Sequence, residues 1–227
     1  MKVIERDTIG EAHEEIIKNI LLEGADVNTK HGKTLEYPGP IAVKILNPLN
    51  EPVKSPAYSF PIEGMKSYAK QLLEVSKSDF DYNCGNRWFD YFSFFPSDGC
   101  LGDGDGNGFN QIEENVLKEL TKDSSSRRAI VCSLQPELDS IRTHIPCITQ
   151  LQFLIRNCEL NLFVYIRSND MLSAWGSDAY ALSQVHAYVA QKLGVNLGYL
   201  EIISVSAHIY YLRDAPELLK FRKKINW

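Results

Sequence analysis

"LNLFVYIRSNDMLSAWGSDAYALSQVHAYVAQKLG", residues 160–194, changes its periodicity twice. Residues 160–168 are rich in β-branched and aromatic side chains and read as a strand. The last part, "AYALSQVHAYVAQKLG", repeats apolar residues at helical spacing and stops at Gly194, a residue suited to close a helix. Between them, "RSNDMLSAWGSD" (167–178) follows neither period. It opens on a charge and a small hydroxyl and ends on a second carboxylate, Asp178. After Gly194, "YLEIISVSAHIYYL" alternates again as a strand.

Upstream, "RRAIVCSL" and "TQLQFLIR" are strand-like, and the second meets residues 160–168 across the short turn "NCE". Residues 8–23 repeat apolar side chains at helical spacing behind Thr8, a capping residue. "GPIAVKILNP" reads as a strand. Pro48, Pro52, Pro56 and Pro61 make residues 47–62 an irregular connection. "GMKSYAKQLLEV" and "QIEENVLKELTKD" read as helices; between them lie the aromatic stretch "FDYNCGNRWFDYFSFF" and a Gly-rich loop at about 96–110. A helix, a strand, a helix and then several strands around one long helix is an α+β order without internal repeats. The 227 residues suffice for one sizeable core and read as a single domain, 1–227.

Hydrophobic residues make up 44% and charged residues 23%, an ordinary globular balance. The net charge of -5 argues against broad nucleic-acid binding while leaving room for a local basic pocket. The charged N-terminus lacks an apolar signal core, and no run has the length of a membrane span. Cys84, Cys100, Cys132, Cys147 and Cys158 form no CxxC pair and no even framework, which points to reduced thiols and a cytoplasmic chain.

"DGDGNGFNQIEE", 103–114, nearly matches a calcium loop, with Asp103, Asp105, Asn107, Gly108 and Glu114 at ligand or turn positions. Asn110 replaces the usual apolar residue, and "FPSDGCLG" before it cannot form the entering helix. A solvated loop and an adventitious calcium site both fit.

The second half carries more chemistry. "IPCITQLQF" places Cys147 behind Pro146 at the start of a strand. A single cysteine is usually buried filler, but Arg127, Arg128, Arg142, Arg156 and Arg167 share this half, and a nearby guanidinium lowers a thiol's pKa. In "SSSRRA", Arg127 and Arg128 at a loop tip could grip a phosphate together; on a strand they would point apart, and surface charge alone also explains them. His208 and Tyr210 in "SAHIYY" fit a core strand as well as a site. Arg167 and Asp170 fit an ion pair at a strand end.

Taken in order, "SSSRRAIVCSLQP", "IPCITQLQF", "YIRSNDM" and "SAHIYY" resemble the thymidylate synthase family. The resemblance covers roughly 120 to 215 well, and extends more faintly to "NCGNRWFDYF" and the N-terminal helix, where the compact archaeal-type members are most similar. It implies a mixed sheet packed with helices and used for homodimerisation. It also implies a folate-dependent transfer to carbon five of a pyrimidine nucleotide, with methylene-tetrahydrofolate as co-substrate and no metal. By the same resemblance, Cys147 matches the thiolate that adds to carbon six. Arg127 and Arg128 match the pair that reaches the partner subunit's phosphate, while Arg167 and Ser168 match the phosphate ligands beside the cysteine. His208 and Tyr210 match the pair that holds the sugar hydroxyl, and Asp170 matches the acid that binds the pterin. Nucleotide, folate and a second copy of the chain are the implied partners, with no nucleic acid and no membrane.

The departures are informative. Where deoxyuridylate synthases carry Asn, eight residues after the pterin-binding acid, this chain has Asp178. An Asn amide answers the N3–H donor and O4 acceptor of uracil. A carboxyl sharing one proton with N3 answers cytosine instead, and a buried carboxylate tends to hold that proton. Asp178 therefore resembles the selector of the deoxycytidylate hydroxymethylases; an N-cap of the following helix is the plainer reading, and the two are compatible. Ile148 follows Cys147 where synthases carry His, and Cys84 stands at the position of a catalytic Tyr. Glu63 is the candidate general base, and Lys30 or Lys33 replaces an N-terminal phosphate-binding arginine. The tail "FRKKINW" departs from the usual synthase end. The expected reaction is deoxycytidylate hydroxymethylation, with deoxycytidylate methylation and thymidylate synthesis from deoxyuridylate as alternatives, and a catalytically inactive nucleotide- or calcium-binding module as the non-enzyme reading.

Overall fold

The computed structural model describes residues 1–76, 82–91 and 108–227. Strand β1 (Lys2–Arg6) leads into α1 (Ile9–Glu23), the hairpin β2 (Ala25–Thr29) and β3 (Gly32–Glu36), then β4 (Ile41–Ile45). Helices α2 (Ile62–Leu73) and α3 (Cys84–Phe89) follow, and then a π-wound turn, Ile112–Leu117, that continues as α4 (Lys118–Lys122). The second half runs β5 (Ile130–Cys132), α5 (Pro136–Asp139), β6 (Ile148–Arg156), β7 (Glu159–Asp170), α6 (Trp175–Leu193), β8 (Asn196–Ile209) and α7 (Ala215–Lys224).

All eight strands join one mixed sheet in the order β1-β4-β8-β7-β6-β5, with β3 pairing both β2 and β8. The α+β expectation holds. β6 and β7 form the expected antiparallel hairpin, and Asn157 and Cys158 at its tip both take positive φ. β7 and β8 are parallel, from Glu159 opposite Asn196 to Asp170 opposite His208. Parallel neighbours need a crossover, which is α6. That helix ends at Gly194, whose φ of 66° is the left-handed cap that glycine adopts without steric cost.

Strand alternation divides the sheet into two faces. Val43, Leu151, Phe153, Leu162, Val164, Ile166, Leu200 and Ile202 are buried in the core with α1, α2 and α6. The register brings Val3, Ala42, Phe163, Tyr165 and Ile203 to the opposite face, where Val3 and Tyr165 are exposed. A complete capping box closes the start of α1: Thr8 Oγ1 accepts from Glu11 N, and Glu11 Oε2 accepts from Thr8 N.

Three sequence expectations change. β1 and the β2–β3 hairpin are additional elements; β2 is exposed along its whole length and shows no apolar face to read. Helix α6 starts at Trp175, with Ala174 at the cap position. Asp178 is therefore not an N-cap; its backbone N–H already donates into the helix, to Ala174 O. The residues "SAWGSD" wind as helix because the Met171–Ser177 segment is held from two sides. His13 Nε2 binds the Met171 carbonyl at 2.8 Å, and the Tyr58 hydroxyl donates to Ser173 O at 2.7 Å. A Cβ on Gly176 would come within about 3 Å of both rings, so only glycine fits there.

The expected Gly-rich loop falls outside the described residues as far as 107, as do three of the five calcium-like positions, Asp103, Asp105 and Asn107. Glu114, the last of those positions, pairs with Lys118.

Candidate active site

Because β7 and β8 run in the same direction, their C-terminal ends emerge together, and the first turn of α6 begins there. A cleft of about 1130 Å³ opens at this edge. Arg167, Ser168 and Asp170 enter it from β7, Ser206 and His208 from β8, and Asp178 from α6. Cys147, just ahead of β6, lines it as well, tied to β7 by the bond from Arg167 N to Cys147 O. Tyr210, beyond β8, makes an edge-on contact with His208 at 5.2 Å between centroids.

The segment leading to Cys147 is held by a buried ion pair. Arg87 on α3 donates to Asp139 Oδ1 at 2.7 Å, with both side chains almost inaccessible. Arg87 also reaches Ser133 O and Gln135 Oε1, and Gln135 N donates to Asp139 Oδ2. A buried pair of this kind is tolerated when further hydrogen bonds complete it, as they do here.

Cys147 is half-buried. The Arg167 guanidinium donates to Pro146 O and Ile145 O, and its Nη2 lies 3.7 Å from the thiol sulfur. The sequence led us to expect a lowered thiol pKa. Burial instead raises it, outweighing Arg167 and a hydrogen bond from Tyr82 that favour the thiolate. Cys84 lines the same cleft but is fully enclosed, and burial pushes its thiol up to about 12. Cys84 is thus a neutral neighbour, and the nearby phenol is Tyr82, two residues earlier.

Asp178 keeps some access to the cleft, yet the surrounding protein desolvates its carboxyl strongly. Burial pushes its pKa up to about 7, against a hydrogen bond from Tyr68 that lowers it; the charge of Asp170 raises it further. Tyr68, on α2, donates to Asp178 Oδ1 at 3.0 Å. Asp170 is held differently. Its Oδ1 accepts from Leu172 N and Ser173 N, and its Oδ2 accepts from Arg213 Nη2 at 2.6 Å. Its ion-pair partner is therefore Arg213, which also stacks over the Tyr210 ring at 4.1 Å.

The remaining candidates divide. Lys30, at the β2–β3 turn, lines the cleft; Lys33 pairs with Asp26 at 2.7 Å and does not. Glu63 is 76% exposed, pairs with Lys66, and lies outside the cleft lining, to which α2 contributes Tyr68, Gln71 and Leu72 instead. Arg127 and Arg128 are exposed just before β5, away from the lining, with no ion-pair partner among the described residues. Ile148 points into the core. The sequence reading missed Tyr68, Tyr82 and Arg213. A tyrosine at helical spacing in "GMKSYAKQLL" looks like core, and only the fold brings Arg213 back to Asp170.

A half-buried thiol, a guanidinium beside it and a protonatable carboxyl thus meet at the end of a parallel strand pair, an arrangement suited to covalent chemistry on a polar ligand. A family model described as thymidylate synthase matches residues 62–222, well over half of the chain, and the chain belongs to the thymidylate synthase family. Relatives described as "Putative thymidylate synthase" include one from Methanocaldococcus jannaschii, 30% identical over 97% of this chain and 96% of its own length. Others are from Methanothermobacter marburgensis, 26% identical over 94% and 96%, and Methanococcoides burtonii, 30% identical over 92% and 89%. The family uses methylene-tetrahydrofolate. Among the described residues no helix is long and apolar enough to cross a membrane.

The Asp178 carboxyl makes a pH-dependent contribution to stability. Its folded pKa, about 7, lies above its ordinary 3.8, so unfolding releases a proton between those values. The contribution is full below the lower value and is lost as pH rises through the upper one. Asp178→Asn keeps an oxygen for Tyr68 and removes the ionisation. Urea unfolding should show the variant gaining on the wild type from pH 5 to pH 8 by roughly 1–3 kcal/mol; an equal difference at both pH values contradicts the assignment.

Proposed function

We propose that the chain transfers a one-carbon unit to carbon five of a pyrimidine nucleoside monophosphate, and that its reaction is the hydroxymethylation of deoxycytidylate. One observation carries this reading: the cleft that holds Cys147 also holds a carboxyl, Asp178, kept protonatable near neutral pH. A carboxyl that shares a proton complements the N3 acceptor and N4 amino donor of cytosine and leaves uracil mismatched.

In this reading the whole chain acts as one catalytic domain. Cys147 loses its proton and its sulfur bonds to carbon six, which makes carbon five nucleophilic. Arg167 and Tyr82 favour the thiolate against the burial that opposes it. A proton held between Asp178 and N3 draws electron density from the ring and assists the addition. Ser168, Arg167 and Lys30 are the phosphate ligands this chain supplies, and His208 and Tyr210 take the sugar hydroxyl. The cleft exceeds the roughly 300–1,000 Å³ that holds one drug-sized ligand, which leaves room for a pterin beside a nucleotide. Asp170, fixed by two backbone N–H groups and Arg213, presents a carboxylate to the pterin's amidine edge. Methylene-tetrahydrofolate supplies the carbon. As carbon five gives up its proton, the carbon–nitrogen bond to the folate breaks and tetrahydrofolate leaves, so that an exocyclic methylene remains on the ring. Water adds to that methylene, and the Cys147 sulfur then leaves carbon six.

Incubation with methylene-tetrahydrofolate and either deoxycytidylate or deoxyuridylate, with products identified by mass, tests the reaction. Hydroxymethyldeoxycytidylate with tetrahydrofolate is expected. A methylated product with dihydrofolate would replace hydroxymethylation by methyl transfer. Cys147→Ser should lose about a thousandfold or more in turnover, and should fail to form the covalent adduct that the wild type forms with a 5-fluorinated nucleotide and the folate. Turnover retained in that variant removes the nucleophile. Asp178→Asn should move the preference toward deoxyuridylate by roughly tenfold to a hundredfold, the value of one mismatched buried hydrogen bond; an unchanged preference leaves Asp178 without a role in base selection.

We also propose that the open face of the sheet pairs with a second copy of the chain, and that Arg127 and Arg128 then reach the partner's phosphate site. The exposed Tyr165 and Val3, which share that face with Phe163 and Ile203, support this reading, as does the exposure of both arginines. Sedimentation should find a dimer that Tyr165→Arg converts to monomer with loss of nucleotide affinity; a wild-type monomer at micromolar concentration refutes the pairing.

A further inference from the structure

The carboxyl of Asp178 has two oxygens, and the fold treats them differently. Oδ1 accepts the Tyr68 hydroxyl at 3.0 Å. The phenol comes from α2, a different element, whose Met65, Ala69 and Leu72 are buried around it. Helix α2 packs along α6, so the donor and its acceptor belong to two mutually supported helices. A hydroxyl that donates to Oδ1 places its own hydrogen between the two groups, and the proton of a neutral carboxyl is then carried on Oδ2.

That makes the selector directional. A carboxyl with Oδ2–H as donor and the spare lone pair of Oδ1 as acceptor matches the N3 acceptor and N4 amino group of cytosine. Uracil needs the reverse, with Oδ1 donating to O4 while Tyr68 already points a hydrogen at that oxygen. We propose that Tyr68 is a positioning residue for base selection, orienting the Asp178 carboxyl so that it answers cytosine and rejects uracil. The inference deepens the proposed function and rests on its assignment of Asp178 as the selector.

The surroundings permit this role. Groups that sense Asp178 electrostatically are the phenols of Tyr58, Tyr68 and Tyr82, the thiols of Cys84 and Cys147, and the carboxylate of Asp170. None is a cation that would force Asp178 to ionise. The Tyr68 hydrogen bond lowers the Asp178 pKa against the larger effect of burial, so removing that bond raises it.

Calorimetric binding of deoxycytidylate and deoxyuridylate to the full chain between pH 5.5 and 9 tests the proposal without requiring turnover. In Tyr68→Phe the preference for deoxycytidylate should fall about tenfold, the order of one buried hydrogen bond. The pH at which deoxycytidylate binding weakens should move upward. An unchanged preference and midpoint in a Tyr68→Phe chain that melts at the wild-type temperature overturns the proposal. If that variant does not fold, 3,5-difluorotyrosine at position 68, equal in shape and a stronger donor, should move the midpoint downward; no movement overturns it equally. Failure of the reaction itself reads differently, as nucleotide binding with the expected preference but no carbon-five product. A wild-type chain that binds neither nucleotide overturns both.

Discussion

The parallel pairing of β7 with β8 is the constraint on which the site depends. Parallel strands place their C-terminal ends at the same edge, so Arg167, Ser168 and Asp170 emerge beside Ser206 and His208. The connection must then cross the sheet, and α6 is long and apolar enough to do so with twelve of its residues buried. Its N-terminal turn begins where β7 ends, which carries Asp178 to the same edge. Substituting an antiparallel hairpin for this crossover would send one of the two strand ends to the far side of the molecule. The chemistry therefore follows from topology before any side chain is considered, as it does at strand ends in other sheets that contain parallel pairs.

Partner groups differentiate the acids around the cleft. Asp139 is locked to Arg87 in the interior and supports the segment that leads to Cys147. Asp170 is bound by Arg213 and two backbone amides. Among the described residues Asp178 has a phenol beside it and no ion-pair partner, and its burial dominates. Similar side chains on one cleft are thus set apart, one as an anchor, one in an ion pair and one holding a proton, by what stands next to each.

Much of this was legible in the sequence. The helical and strand periods of residues 148–209 marked β6, β7, α6 and β8, and the order of Cys147, Arg167, Asp170 and His208 carried the family. The missed features have physical reasons. The β2–β3 hairpin carries only Val27 and Leu35 as large apolar side chains and holds its place through β3's pairing with β8 at Leu35 and Glu36. The start of α6 was hidden because Gly and Ser within it suit a loop, and tertiary bonds from His13 and Tyr58 override that preference. Glu63 looked like a general base from its neighbours in the chain, but helical geometry turns it toward solvent and Lys66. Tyr68 escaped notice because its proposed role lies in one hydrogen bond across two helices, and no local pattern encodes such a contact.

Burial acts on Cys147 and Asp178 in the same direction, since a desolvated thiol and a desolvated carboxyl both keep their protons. In the proposed reaction a nucleoside monophosphate arrives as a dianion at a chain whose net charge is -5. If both groups were ionised, two anions would stand in the cleft beside Asp170 and oppose the phosphate. With both protonated, Arg167 and Lys30 meet the phosphate with less opposition from within the cleft. The thiol then needs to become anionic only as its sulfur bonds to the ring, when the new bond removes the charge from sulfur. The desolvation that makes Cys147 a reluctant thiolate at rest is in this way compatible with its proposed use as a nucleophile, and the same desolvation suits Asp178 to the proposed choice of base.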